Sequence, residues 1–268
     1  RRQRQMCIRD RKKTNLCTLG ILPTGRFISD AVRRVAVARK FFPASRLRAF
    51  AFHSKTKNRC ENMRIRCTSE GLMTPAELAA MIDHTILKPE ALRRDVDKVV
   101  DEAIAAKFCS VCIAPPYVAH VARRLKGSGV KTCTVIGFPN GTHKSTVKAI
   151  EASSTIKDGA DEIDIVAHLP YLIEGNFEAA RDELIEIVRS ARATRSDVLI
   201  KVIVESAALL AVNKDKQEET IALACRAVTE SGCDYIKTST GFHPAGGAQL
   251  QAVQWMKQHG RDAIKVKA

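Results

Sequence analysis

Several features are missing from the sequence, and each absence excludes a class of protein. It has no apolar run of about 18 residues or more, so it predicts no membrane-spanning helix. It has no GxxxxGK[ST] loop, so nucleotide binding of that kind is not expected. Its nine cysteines are odd in number and irregularly spaced, which indicates a reducing, cytoplasmic setting rather than a disulfide framework. The histidines show no metal-ligand spacing, and no metal site is predicted.

Acidic residues are scarce in one part of the chain only. Residues 1–72 hold 19 Lys and Arg against 4 Asp and Glu, whereas residues 73–268 hold 25 of each class. The formal net charge of +15 therefore belongs entirely to the first segment. The second segment has the charge balance of an ordinary globular protein, so the overall charge does not identify a nucleic-acid-binding protein.

The basic segment, residues 1–72, allows three interpretations. An Arg-rich, acid-poor stretch is typical of a mitochondrial transit peptide, and residues 27–42 could form its amphipathic helix. A basic arm that binds nucleic acid has the same composition. The third and favoured interpretation is a disordered or non-native leader, because residues 6–11 match the translation of a transposon end used in sequencing libraries.

A change of composition at Met73 marks the start of the second predicted domain, residues 73–268. Thr74 as N-cap, Pro75 at the first helical position and Glu77 three residues after the cap predict a helix start. Beyond it, apolar runs alternate with segments of helical periodicity. The runs predict seven strands, at residues 82–86, 108–113, 131–136, 162–166, 198–204, 235–237 and 263–266.

This alternation predicts an α/β fold with a parallel sheet covered on both faces. No glycine follows the first strand, so the doubly wound nucleotide fold, which carries GxGxxG there, is disfavoured. A TIM (β/α)8 barrel is therefore predicted. Only about seven of its eight strands are found, so we expect a barrel truncated before strand eight, without the phosphate-binding loops that follow strands seven and eight.

Charged residues at strand ends point to the chemistry. The C-terminal ends of barrel strands converge on one site, and Lys237 lies at such an end. Desolvation lowers the pKa of a lysine, and a neutral amine can form a Schiff base with a carbonyl. Asp164 and Lys267 lie at the ends of strands four and seven, so the sequence predicts lysines and carboxylates in one pocket.

The segment Lys237-Thr238-Ser239-Thr240-Gly241 resembles the Schiff-base signature of the deoxyribose-phosphate aldolase family, whose members are class I aldolases on a TIM barrel. The resemblance covers about residues 73 to 268. Further matching motifs are Asp83-His84-Thr85, Val111-Cys112, Val135-Ile136-Gly137-Phe138-Pro139, Gly159-Ala160-Asp161-Glu162-Ile163-Asp164 and Lys201-Val202-Ile203 with Glu205.

The resemblance implies a role for each matching residue. It implies that Lys237 forms the Schiff base and that Asp164 and Lys267 relay protons. Substrate-binding residues are expected at Cys112, Lys201, Glu205, Thr238 and Gly241. The segment 167–171 lacks the family's asparagine-and-glycine pattern, which leaves substrate contacts there open.

The function implied is the reversible cleavage of 2-deoxy-D-ribose 5-phosphate to acetaldehyde and D-glyceraldehyde 3-phosphate, a step of deoxyribonucleotide catabolism. No cofactor is expected, because the iminium withdraws electrons as a Lewis acid would. The expected binding partner is a small sugar phosphate, and neither a membrane nor a nucleic acid is an expected partner. A homodimer is one expected assembly of a complete chain. Alternatives are another Schiff-base barrel lyase, of the transaldolase or fructose-bisphosphate aldolase type, and a basic-armed nucleic-acid-binding protein.

Overall fold

The computed structural model describes residues 6–8, 65–66 and 72–268. The helix predicted over residues 27–42 lies outside them, and the prediction of a non-native leader stays a prediction. The chain divides into two compact units. In the smaller unit, the strand β2 (Ile65–Arg66) pairs antiparallel with β3 (Leu72–Met73).

The larger unit is an α/β fold built on seven parallel strands that curl into a half-barrel. Neighbours in the sheet follow chain order, as the predicted barrel requires. The strands are β4 (Ile82–Ile86), β5 (Ser110–Ile113), β6 (Lys131–Ile136), β7 (Glu162–Val166), β8 (Leu199–Ile203), β9 (Tyr235–Lys237) and β10 (Lys265–Lys267). A further strand, β1 (Met6–Ile8), pairs antiparallel with β4.

One helix precedes the first parallel strand, and the others connect the parallel strands. They are α1 (Pro75–Ala79), α2 (Arg93–Ala106), α3 (Val118–Leu125), α4 (Ser145–Lys157), α5 (Leu169–Ile173), α6 (Phe177–Thr194), α7 (Ser206–Val212), α8 (Gln217–Glu230) and α9 (Leu250–Gly260). The predicted start at Pro75 is confirmed for α1. No helix in the described residues is both long enough and apolar enough to cross a bilayer.

Two short helices were not predicted. They are α5 and α7, and each follows directly on a strand end, after β7 and β8 respectively. Their apolar runs are too short for a helical period to be recognised. The helix α9 begins only at Leu250, because Gly246 has a φ of +104° and the segment before Leu250 forms a loop.

The two faces of the sheet have different roles. Alternate side chains such as Ile163, Ile165, Ile200 and Val202 are fully buried and pack with the helices in one apolar cluster. The intervening positions point to the barrel interior, and several of these carry charge. The apolar face holds the sheet against its helices, and the interior face is left for the site.

Candidate functional site

Six charged side chains from five strands meet inside the barrel, and we call them the interior cluster. All are buried, with at most 5 % of the residue exposed. The cluster contains Asp83, Glu162, Asp164, Lys201, Lys237 and Lys267. Three ammonium groups against three carboxylates give a balanced set, which is how charges become tolerable away from water.

Asp164 lies at the centre of the interior cluster. Its Oδ2 is 2.6 Å from Nζ of Lys237, and its Oδ1 is 2.5 Å from Nζ of Lys201. Burial raises the pKa of this carboxyl, but the two ammonium groups outweigh that effect and hold the pKa of Asp164 at about 2. The carboxylate is therefore charged at neutral pH and contacts the ammonium of Lys237 through Oδ2.

Lys201 supports this carboxylate from the neighbouring strand. The register of β7 and β8 places Lys201 directly opposite Asp164. Its Nζ also lies 2.9 Å from Oε2 of Glu162. Burial lowers the pKa of Lys201, yet the surrounding carboxylates, Asp164 first, raise it well above its ordinary value. Lys201 is therefore a permanent cation, and its bonds go to protein carboxylates.

Lys267 is aligned with Lys237. In the parallel pairing of β9 with β10 the two lysines lie opposite each other, and Nζ of Lys267 is 2.7 Å from Oδ2 of Asp83. Lys267 is fully buried, whereas Lys265 is exposed, with its ammonium 5.2 Å from the centre of the Tyr235 ring. Of the two lysines on β10, Lys267 is the one within the interior cluster.

The loop after Lys237 is tightly held. Glu205 has a positive φ of 48°, and its carboxylate accepts hydrogen bonds from the backbone N–H of Thr240 at 3.1 Å and from the hydroxyl of Thr240 at 2.5 Å. The backbone of Thr238 donates to the carbonyl of Lys267 and accepts from Ser206 N–H. The Glu205 carboxylate and the Thr238 backbone, in two residues predicted as substrate contacts, thus make hydrogen bonds within the protein. Gly241 follows at a φ of +79°.

The adjoining wall of the interior, on β5 and β6, is mostly apolar. Cys112 and Cys133 lie opposite each other on β5 and β6, both fully buried, and they pack with Val135, Leu87 and Phe138. The Phe138 ring meets the Phe242 ring edge-on, with centroids 5.1 Å apart. Since Phe138 follows β6 and Phe242 follows β9, this contact spans the strand ends of β7 and β8. Cys112 thus lines the interior, and its role as a substrate-binding residue stays a prediction.

Cys112, Cys133 and Asp164 also form a possible set of metal ligands, since their ligand atoms lie within 4.8 Å of one another. The ammonium of Lys201, however, lies 3.3 Å from Sγ of Cys133 and 2.5 Å from Oδ1 of Asp164. The Lys201 ammonium therefore already provides a positive charge beside Cys133 and Asp164. The prediction that the protein has no metal site stays a prediction.

Sequence reasoning named the three lysines and Asp164 but gave no role to their counter-ions Asp83 and Glu162. Both were visible as charged residues in otherwise apolar strands, and Glu162 shares a face with Asp164. Cys133 was missed because a cysteine in an apolar strand is usually a small core residue.

Comparisons with known proteins identify the family of the chain. The DeoC/LacD family aldolase profile matches residues 77–267. Deoxyribose-phosphate aldolase of Kocuria rhizophila is 44 % identical over 197 residues, covering 74 % of this chain and 84 % of the relative. Its Mycobacterium avium counterpart is 42 % identical over 198 residues, covering 73 % of this chain and 85 % of the relative.

A similar fold occurs among solved structures. Deoxyribose phosphate aldolase from Aeropyrum pernix, described as having a unique tetrameric structure, aligns with a TM-score of 0.63 at 31 % identity. The alignment covers 72 % of this chain and 77 % of that one. The predicted resemblance and the predicted barrel are both confirmed by these matches.

Proposed function

This chain belongs to the DeoC/LacD aldolase family, and from that premise we propose that it cleaves 2-deoxy-D-ribose 5-phosphate through a Schiff base on Lys237. The activity is that of a lyase, a deoxyribose-phosphate aldolase, and the substrate is a sugar phosphate. The observation that carries the assignment of the nucleophile is the placement of Lys237, buried at a strand end with its Nζ 2.6 Å from a carboxylate. A lysine so placed has a base within reach for its proton.

The reaction follows from this arrangement. The neutral amine of Lys237 adds to the C1 aldehyde, and the carbinolamine loses water to give an iminium. The C2–C3 bond then breaks, its electron pair moves into the iminium as an enamine, and the C3 hydroxyl loses its proton as D-glyceraldehyde 3-phosphate leaves. Protonation of the enamine at C2 and addition of water release acetaldehyde and restore the amine.

Asp164 and Lys267 are proposed to move the protons. Asp164 is 2.6 Å from the nucleophile, so it can accept a proton directly or through one water. Lys267 lies opposite Lys237 in the register and is held by Asp83. Lys201 is proposed to act one step back, by orienting Asp164, in place of the substrate contact predicted from the sequence.

The remaining predicted contacts are kept as proposals. Cys112 lines the interior wall, and the loop from Thr238 to Gly241 follows the carboxyl end of β9, the end of a barrel strand at which substrates bind. A cytoplasmic location rests on the cysteine content, since Cys112, Cys133, Cys225 and Cys233 are free thiols. The absence of a nucleic-acid partner and the homodimer also remain proposals.

Borohydride trapping tests the nucleophile. We expect the protein incubated with acetaldehyde and borohydride to carry one ethyl group on Lys237, read by peptide mass spectrometry. Lys237→Met should lose the adduct. Lys265→Met is the matched control, because it removes an exposed lysine from the neighbouring strand and should leave the adduct in place.

An unmodified Lys237 in the folded protein would refute the assignment. Trapping of dihydroxyacetone phosphate instead of acetaldehyde would indicate an aldolase of the fructose-bisphosphate or transaldolase type. The two donors therefore separate the proposed reaction from its closest alternative.

A further inference from the structure

A second buried ion pair lies outside the interior cluster. Lys148 of α4 is fully buried, and Glu183 of α6 is 7 % exposed. Their side chains are joined by a contact of 2.6 Å between Nζ and Oε1. Neither residue has a part in the proposed chemistry, so the pair needs another explanation.

The remaining hydrogen bonds of this pair go to the backbone just beyond Asp164. Lys148 Nζ donates to the carbonyl of Val166 at 2.8 Å, and Glu183 Oε2 accepts from the backbone N–H of His168 at 3.1 Å. Val166 is the last residue of β7 and lies two residues after Asp164. The pair thus binds the peptide groups on both sides of Ala167.

The same lysine supports the loop after β6, residues 137–141. A Cβ atom at Gly137 would lie 2.8 Å from Cε of Lys148, so the lysine stem packs directly on this glycine. A Cβ at Gly141 would lie 2.3 Å from the carbonyl oxygen of Ala167, so the loop also packs on the segment that the ion pair holds. This loop carries Phe138, which forms part of the interior wall.

The energetics favour a positioning role over a stabilising one. Burial lowers the pKa of Lys148, and Glu183 acts against that shift without removing it. A buried ion pair often contributes no more stability than an apolar pair of similar volume, because desolvation offsets the attraction. What an apolar pair cannot supply is the two directed bonds to Val166 and His168.

We infer that Lys148 and Glu183 are positioning residues for the aldol cleavage, which fix the carboxyl end of β7, and with it Asp164, against the loop of residues 137–141. The inference rests on the proposed function. A misplacement of about 1 Å in a catalytic group can cost about 100-fold in rate, so a clamp two residues from Asp164 has a measurable effect.

The double variant Lys148→Met/Glu183→Met tests the inference. It keeps the volume and removes both backbone anchors, so we expect a moderately lower melting temperature and a kcat lowered about 10- to 100-fold. KM should change little, and borohydride trapping of acetaldehyde on Lys237 should persist. Exchange of the acetaldehyde C2 hydrogens with D2O, which needs proton transfer, should slow in parallel with kcat.

An ion pair at the opposite ends of the strands provides the matched control. Arg192 and Asp234 are 3.1 Å apart, and Asp234 also accepts from the backbone N–H of Ile200. In Arg192→Met/Asp234→Asn an acceptor for Ile200 remains, and we expect a lower melting temperature with unchanged kcat. A fall in kcat equal to that of the first double variant would mean that general loosening is the cause, and would overturn the inference.

Each remaining outcome of these experiments also supports or overturns a proposal. An unchanged kcat in the folded Lys148→Met/Glu183→Met variant overturns the inference. If that variant does not fold, Glu183→Gln replaces it, since it keeps the shape and removes the charge; a lowered kcat supports the clamp and an unchanged kcat overturns it. A parent protein that neither traps acetaldehyde nor cleaves 2-deoxyribose 5-phosphate would refute the proposed function instead.

Discussion

Asp164 is the residue on which the proposed chemistry depends most after the nucleophile. It contacts Lys237 with one oxygen and Lys201 with the other. This arrangement orients the carboxylate from both of its oxygens, and it leaves the proton acceptor beside the amine. Removing the charge of Asp164 should therefore affect proton transfer more than it affects folding of the loop after Lys237 or binding of the substrate's phosphate.

For Asp164→Asn we expect kcat to fall about 100- to 10 000-fold, the range usual for loss of a general acid or base. The amide keeps the shape but cannot accept the proton. Steady-state cleavage of 2-deoxyribose 5-phosphate measures the effect. Asp161→Asn is the control, because Asp161 precedes the same strand and bonds to the backbone of Thr132; a comparable loss there, or a loss below threefold for Asp164→Asn, would contradict the role.

The same residue predicts how stability depends on pH. The pKa of Asp164 is about 2 in the folded protein, below its ordinary value of 3.8. Because the pKa of Asp164 is lower in the folded protein than in the unfolded chain, its charge stabilises the fold above about pH 4. This stabilisation is lost as the pH falls towards about 2. The difference in free energy of unfolding between the parent protein and Asp164→Asn, measured by urea denaturation, should therefore become smaller as the pH falls over this range. A difference independent of pH would refute the prediction.

At the scale of elements, the site depends on loops that pack closely on strand ends. The loop of residues 137–141 begins and ends with glycines at positive φ, +66° at Gly137 and +68° at Gly141. The KTSTG loop is held instead by Glu205 through Thr240. The sequence motifs include residues of both loops, but no local pattern relates Glu205 to Thr240, because the two residues are 35 positions apart.

Gly141→Ala should destabilise the protein by about 3 kcal/mol or more, combining backbone strain with a clash against the carbonyl of Ala167. Gly175→Ala is the control. Gly175 has a similar φ of +74° but no atom within 4 Å of an added Cβ, so strain alone applies, at about 1 kcal/mol. Chemical denaturation measures both, and equal losses would show that the close approach is unimportant.

At the scale of the whole molecule, one apolar cluster joins the helices to the outer face of the sheet. Leu184 of α6 is 1 % exposed within it, whereas Ile150 of α4 is 70 % exposed. The same helices that supply Lys148 and Glu183 also supply core contacts, through Ile156 of α4 and Leu184 of α6.

Leu184→Ala should lower the free energy of unfolding by about 2 to 5 kcal/mol, because it removes buried methyl groups and leaves a cavity. Ile150→Ala should change it by no more than about 0.5 kcal/mol. Urea denaturation with an unchanged m-value measures both. Similar losses at the two positions would contradict the assignment of Ile150 to the surface.

The sequence by itself determined the order of strands and helices, the parallel sheet and the lysine at the end of β9. These features depend on periodicity and on short motifs, which involve residues close together in the chain. It also identified the family resemblance that the comparisons confirmed. It did not predict α5 and α7, whose runs are shorter than the window in which a helical period is visible.

Only the tertiary structure decided which charges meet. Asp164 contacts Lys201, 37 positions away, and Lys237, 73 positions away, and Lys148 contacts Glu183 across two helices. Such partners are chosen by sheet register, strand curvature and helix packing, which bring together residues that no local pattern relates. Lys201 illustrates the difference: the sequence made it a substrate ligand, and the fold surrounds its ammonium with carboxylates.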